Sequence, residues 1–307
     1  MKPDLRSIGP PALFAATASL LIAASGGCCF WRMQNPVSKS VVESRQFVQQ
    51  GVNALERRNL EEAERFGAQA VRACPDDPQA HRYYADVLWE QGRPKEAIAE
   101  IDASLAKAPD EAETRLRAAE MRLRMRDYDG SLADVRRVID VDPKSASAWA
   151  MKGRILREQG DLKGALADTQ RALTFDPRRR EVLRQSADLY AALQQPNKAL
   201  CSLQALADTY APGEEPHDLF VAQGFAYAAL DRKYEAAKSL RTACERGRAT
   251  PDLLLALAEF ETSSGQSMEA YRTAQQAVAL APDDPRCQAM VQQTAAAASG
   301  AMGNYRR

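Results

Sequence analysis

A chain of 307 residues with 45% hydrophobic and 27% charged side chains has enough apolar material to fold, and too many charges for a polytopic membrane protein or for wholesale disorder. Lys and Arg total 41 and Asp and Glu total 41, so no global field steers the chain onto nucleic acid, and no nucleic-acid partner is expected. Two histidines, His81 and His217, and six cysteines without metal-type spacing supply little for a zinc site or a histidine base, so neither metal, cofactor nor enzymatic activity is expected.

The chain opens on Lys2 and Arg6, followed by an uncharged run from Ala12 to Trp31 that ends at Arg32. A basic start and an apolar stretch of this length mark residues 1–32 as a signal peptide or membrane anchor, outside the fold. Two readings stay open. The apolar centre, Ala12 to about Ser25, has signal-peptide length, and Ser25-Gly26-Gly27-Cys28 resembles the lipobox of bacterial lipoproteins, with Cys28 (or Cys29) as the lipid-attachment thiol. That motif usually carries an aliphatic residue three positions before its cysteine, where Ser25 or Gly26 stands here. In the other reading the whole run is retained and crosses a bilayer core of about 30 Å, with Cys28 and Cys29 as small apolar residues of the span. Both place the protein in the bacterial cell envelope, membrane-anchored and facing the periplasm, with residues 33–43 as a tether.

From residue 44 onward the sequence repeats. Pro75, Pro109, Pro143 and Pro177 follow one another at intervals of 34, and Ala63, Ala97, Ser131, Ala165 and Ala199 form a second series twelve positions ahead of that phase. After a slip of three residues near Pro212–Pro216 the register resumes with Gly224, Ala236 and Ala243, and again with Ala258, Ala270, Ala277 and Pro282. Two locked series define seven units at 44–77, 78–111, 112–145, 146–179, 180–213, 217–250 and 251–284. In each, two helical stretches flank a turn such as Gly160-Asp161, where glycine stops the first helix and aspartate caps the second. Small residues at position eight, Gly51, Gly153 and Gly224 among them, face the alanine series at position twenty and let the helices cross closely. The proline bars continuation of the second helix and bends the chain into the next hairpin.

This pattern resembles the tetratricopeptide repeat (TPR) over about four-fifths of the chain, most closely in unit 146–179 through Trp149, Gly153, Leu156, Ala165, Ala172 and Pro177. The resemblance implies an all-α, right-handed superhelical solenoid of seven helical hairpins. Arg115 and Ser131 depart from the pattern in the third unit, and the fifth lacks a proline in phase, which predicts a local change of superhelix geometry. Residues 285–299 read as an amphipathic helix capping the array, and 300–307 as a flexible tail.

Gly-rich phosphate loops and nucleophile elbows are missing from the sequence, and His81 reads as a packing residue. The resemblance implies instead that the first helices line a concave groove through positions two, five, six, nine, twelve and thirteen. Those columns nominate Arg82, Tyr83 and Trp89 in the second unit, Leu116, Arg117 and Leu123 in the third, and Arg154 and Arg157 in the fourth. Aromatic rings and guanidinium groups are typical of binding hot spots, so the expected partner is a protein or peptide, acidic with apolar residues. The competing reading packs the same rings on neighbouring helices and pairs the arginines with Asp86 or Glu120. Charge is also uneven: unit 146–179 carries seven cations against four acids, and unit 251–284 six acids against Arg272 alone, so opposite ends suit different partners. Membrane-tethered lipoproteins of this family, including pilotins and outer-membrane assembly factors, share the architecture. The expected function is a non-enzymatic envelope scaffold binding protein segments in the groove; the alternative is a structural assembly factor using convex or end surfaces.

Overall fold

Every first helix of the repeat stops in the same way, and the stop builds the hairpin. Residue fifteen of each unit takes a left-handed conformation, at Gly92, Gly160 and Gly265 but also at Arg58, Arg126, Gln194 and Asp231. The residue after it donates its N–H to a carbonyl five residues back, as from Asn59 to Ala54 at 2.9 Å and from Gln195 to Tyr190 at 2.8 Å, which satisfies the last turn of the helix. Asn59, Asp127 and Asp161 then turn their side chains onto the N–H groups of the second helix and cap it. Glycine therefore relieves this turn without being required by it.

The computed structural model describes residues 38–304. Among them fifteen α-helices and no strand occur: α1 (Lys39–Glu56), α2 (Leu60–Ala73), α3 (Pro78–Glu90), α4 (Pro94–Lys107), α5 (Ala112–Arg124), α6 (Tyr128–Val141), α7 (Ala146–Glu158), α8 (Leu162–Phe175), α9 (Arg180–Ala192), α10 (Pro196–Ala207), α11 (His217–Ala228), α12 (Lys233–Arg246), α13 (Pro251–Ser263), α14 (Ser267–Leu280) and α15 (Pro285–Asn304). The first fourteen pair in sequence as seven hairpins, and α15 packs on α13 and α14. The anchor segment, with Cys28 and Cys29, and the tether up to residue 37 lie outside the described residues. No described helix is long and apolar enough to cross a membrane. The last helix runs on to Asn304, past the expected end at Ser299, because the alanine run 295–298 carries high helix propensity into the segment read as a tail.

Between hairpins the prolines act through their predecessors. Cys74, Ala108, Asp142 and Asp176 each precede a proline and are pushed to extended ψ values of 75 to 91°, which ends the second helix after a full fourteen residues. Asp208 has no proline behind it. It stays near helical geometry at φ −65° and ψ −6°, α10 is two residues shorter, and the link to the next hairpin stretches over residues 208–216.

Inside each hairpin the small residues meet as expected. Ala63, Ala97, Ala165, Ala236 and Ala270 are fully buried, and a Cβ added to Gly153 would stand 2.9 Å from the Ala165 carbonyl oxygen. Ser131, the exception in that column, is buried with its hydroxyl donating to the Ala119 carbonyl at 2.7 Å. The third hairpin also locks itself by charge: Arg115 and Arg122 converge on Asp134, whose burial raises its carboxyl above the ordinary aspartate value even against two guanidinium groups. First helices of successive hairpins touch, α1 with α3 and α5 with α7, without comparable contact between second helices, so the first helices form the inner side of the curve.

Candidate binding face

Equivalent residues of neighbouring hairpins are one period apart, so a side chain on the inner face of one first helix looks across at the first helix of the next. Between α3 and α9 that geometry produces a ladder of ion pairs. Arg82 reaches Glu113 at 3.0 Å, Arg117 Nε donates to Asp86 at 2.6 Å, and Arg154 holds Glu120 at 2.7 Å with Glu181 at 3.9 Å on its other side. Arg184 continues the series onto Asp218. Burial raises the Glu120 carboxyl, but hydrogen bonds and charge from Arg154 and Arg124 outweigh it and hold Glu120 below the ordinary glutamate value.

The nominated residues therefore separate. Arg82, Arg117 and Arg154 do lie together on the inner face, yet each is matched by an acid from the adjoining hairpin. For Arg117 and Arg154 the partners are Asp86 and Glu120, as in the competing reading, so the three form no unpaired basic cluster. Arg157 pairs only with its chain neighbour Glu158, at 3.3 Å, and lines an open cleft of about 400 Å³ with Arg124, Arg126, Arg154 and Glu120. Tyr83 is not a groove residue: it is buried, its ring fills the space that Gly51 leaves empty, and its hydroxyl donates to the Ala63 carbonyl at 3.3 Å. Burial pushes its phenol above the ordinary tyrosine value. Leu123 is buried with Val135 and Ile155, and Leu116 is half-buried on the same cluster, each showing only an edge to a cleft. Trp89 is half-buried against Leu88, Ile101 and Met121. These four serve the packing of the hairpins, because their columns turn toward the neighbouring helix rather than away from it. His81 is a packing residue too, with Nδ1 at 2.7 Å from Glu100 and Nε2 at 3.0 Å from the Pro75 carbonyl.

Past α9 the same face changes character. Ala187, Ala191, Pro196, Ala222, Phe225 and Ala229 wall a pocket of about 270 Å³ in which Asp188 is the one charged lining residue. Phe225 is 50% exposed, and its ring meets Phe260 edge-on at 6.5 Å. Among the described residues no ion pair joins α11 to α13; the ladder reappears only where Arg286 of α15 reaches Asp252 at 2.9 Å. The residues nominated as arginine and large aromatic groups do not include this stretch. The signal was there as alanine at positions where earlier units carry tryptophan, leucine or arginine.

A family model described as tetratricopeptide repeat matches residues 48–112 and 116–179. No curated protein matches the chain. Solved structures do. A tetratricopeptide repeat protein from Parabacteroides merdae is 12% identical with a TM-score of 0.57, the match covering 82% of this chain and 99% of that one. Pseudomonas aeruginosa pilF is 16% identical with a TM-score of 0.60, covering 74% and 100%. PilW, a widely conserved type IV pilus biogenesis factor, is 17% identical with a TM-score of 0.58, covering 65% and 91%. At such identities the likeness is one of fold: the described residues form a helical solenoid like those of tetratricopeptide-repeat proteins, and the repeat model itself is matched over 48–112 and 116–179.

Proposed function

We propose that the protein is a non-enzymatic scaffold, tethered in the bacterial cell envelope on the periplasmic side, whose inner face receives segments of other proteins. The observation that carries this reading is the open inner face itself. Its cleft between α5 and α7 presents Arg124, Arg126, Arg154 and Arg157 against Glu120 and Glu158, an excess of cations held in place by rigid helices. Such a surface suits an acidic segment with an apolar residue, guanidinium groups pairing with carboxylates while the apolar side chain covers the exposed edge of Leu123. The basic start, apolar run and Cys28–Cys29 support the tether, either as a lipid or as a retained helix. Palmitate labelling that disappears when Cys28→Ser and Cys29→Ser are combined identifies the lipid; unchanged labelling assigns the retained helix.

A second reading, a structural assembly factor working through convex or end surfaces, is favoured by one observation: the match to pilF spans the whole of that structure, and PilW is a pilus biogenesis factor. Cross-link mapping on complexes from detergent-solubilised envelopes decides between them. Cross-links on α3, α5, α7, α9 and α11 support the scaffold, and cross-links confined to the second helices or to α15 support the assembly factor.

A further inference from the structure

From α3 onward, position nine of the first helices runs as one column down the inner face: Asp86, Glu120, Arg154, Asp188, Phe225 and Glu259. The first three are tied to neighbouring hairpins by ion pairs. Asp188 and Glu259 have no ion-pair partner among the described residues, and Phe225 stands between them, half-exposed at the mouth of the alanine-walled pocket. The nearby cations are already engaged, Arg184 by Asp218 and Arg157 by Glu158. An uncovered apolar pocket with a free carboxylate on its wall repels acidic ligands and gains from a cation brought in beside an apolar group, since the pairing forms where water is partly displaced.

We propose that this pocket is a second binding site, for a segment of another protein in which an apolar side chain is flanked by lysine or arginine. The apolar side chain enters beside Phe225, one cation meets Asp188, and the other lies toward Glu259 one hairpin further on. The proposal rests on the scaffold reading and sharpens it, because it gives the two stretches of the inner face opposite charge preferences: acidic segments at α5–α7, basic ones at α9–α13.

Fluorescence anisotropy on the detergent-solubilised full chain tests it with three labelled nine-residue probes, one with a central leucine between two lysines, one with leucine between two glutamates, and one with serine between two lysines. The leucine–lysine probe is expected to bind at least about tenfold more tightly than either other probe in the pocket. Asp188→Lys should reverse the preference between lysine and glutamate flanks, and Phe225→Ser should remove the preference for leucine over serine. Both side chains are substantially exposed, so an unchanged circular dichroism spectrum is expected as the folding control. In the Arg157→Glu background, which closes the charged cleft to acidic probes, equal binding of lysine and glutamate probes, no binding of the leucine–lysine probe, or a preference indifferent to Asp188→Lys overturns the assignment. Should the glutamate probe alone bind and be lost in Arg157→Glu, the scaffold reading stands and only this site falls. Should no probe bind while cross-links map to the second helices, both fall. A dimer in sedimentation that Phe225→Ser converts to monomer would mean that a second copy covers the pocket, which also overturns the proposal.

Discussion

From α3 to α9 the inner face is a ladder of cations and carboxylates, each reaching across to the next hairpin, with a last rung from Arg184 to Asp218 of α11; beside that rung alanines of α9 and α11 wall a pocket at Phe225, and no ion pair among the described residues joins α11 to α13. Both stretches are built from the same positions of the same repeat, and the crossings beneath them are the same small-on-small contacts, with Gly153 on Ala165 in one and Gly224 on Ala236 in the other. The hairpin therefore does not dictate what its inner face carries. In the first stretch the groove residues are spent on holding neighbouring hairpins in register, whereas alanines make no such cross-links and leave their surface uncovered. A residue's place in the repeat tells which face it occupies, and only its neighbours one period away tell whether it is free.

The largest expected effect comes from cutting the solenoid between the two stretches. Ala165 is fully buried in the fourth hairpin, beneath the point where the Gly153 backbone lies closest. Ala165→Leu overfills this crossing and should cost about 1–3 kcal/mol or more. Since a solenoid is coupled only through nearest neighbours, thermal unfolding followed by circular dichroism should then resolve two transitions, one for each stretch. A single transition at the original temperature would break the comparison, because it would mean that the two stretches do not depend on this crossing.

A smaller loss is expected from the ladder itself. Arg154→Ala removes the link from Glu120 to Glu181, and with Glu120 largely enclosed the cost should be about 1 kcal/mol, at the upper end for partly exposed pairs. The pH dependence has a definite sign. Glu120 is held below its ordinary value of 4.5, so its contribution is complete above that pH and fades as pH falls through the lowered folded value. The gap between the parent protein and Arg154→Ala in urea unfolding should thus be full at pH 7 and shrink at pH 3. An equal gap at both values would show that Arg154 acts by packing its stem rather than by charge.

How much of this was legible in the sequence depends on which forces write themselves into spacing. The hairpins, their number and their crossings follow from Ala165, Gly153 and Pro177 and their counterparts, because close backbone approach and helix termination restrict residue type. Helix stops were legible at Gly92 and Gly160 but not at Arg58 or Gln194, where the hydrogen bonds of the turn impose the left-handed conformation on residues that do not advertise it. On the inner face, position alone misled. Tyr83 turns inward because Gly51 of the preceding hairpin leaves a hole of its size, whereas the pairing of Arg117 with Asp86 and of Arg154 with Glu120 was legible as the competing reading, since those acids stand in the same columns of the adjoining units. The apolar pocket is not legible in the sequence because alanine, residue by residue, carries no chemical signal.

The turn offers a gain in stability that should ignore the difference between the stretches. Arg126 lies at the edge of the charged cleft with φ 63°, and Gln194 at the edge of the apolar pocket with φ 56°. Replacing either by glycine relieves the left-handed penalty of a side-chain-bearing residue, less the extra chain entropy glycine loses on folding, for a net gain of roughly 0.5 to 1 kcal/mol. Equal gains from Arg126→Gly and Gln194→Gly in urea unfolding are expected. Unequal ones would show that one of the two side chains does work on its own stretch of the inner face.

The smallest effect is expected at the residue that most distinguishes the second stretch. Phe225 occupies the same position of the repeat as Arg154, so truncation to alanine at both places compares the two stretches at one point of the fold. Arg154 joins three hairpins; Phe225 is 50% exposed and touches its neighbour α13 chiefly through the edge-on contact with Phe260. Such an aromatic contact is worth about 0.5 to 1.5 kcal/mol when fully packed, and half-exposure brings Phe225→Ala to about 0.5 kcal/mol in urea unfolding at neutral pH. A loss of several kcal/mol, the size expected for a phenylalanine taken out of a core, would mean that Phe225 holds α11 against α13 as the ion pairs hold the earlier hairpins. The second stretch would then be joined by apolar contact rather than left open. With only the small loss, the ring contributes little to the solenoid's own stability, and its exposure beside an unpaired Asp188 is free to serve an incoming chain.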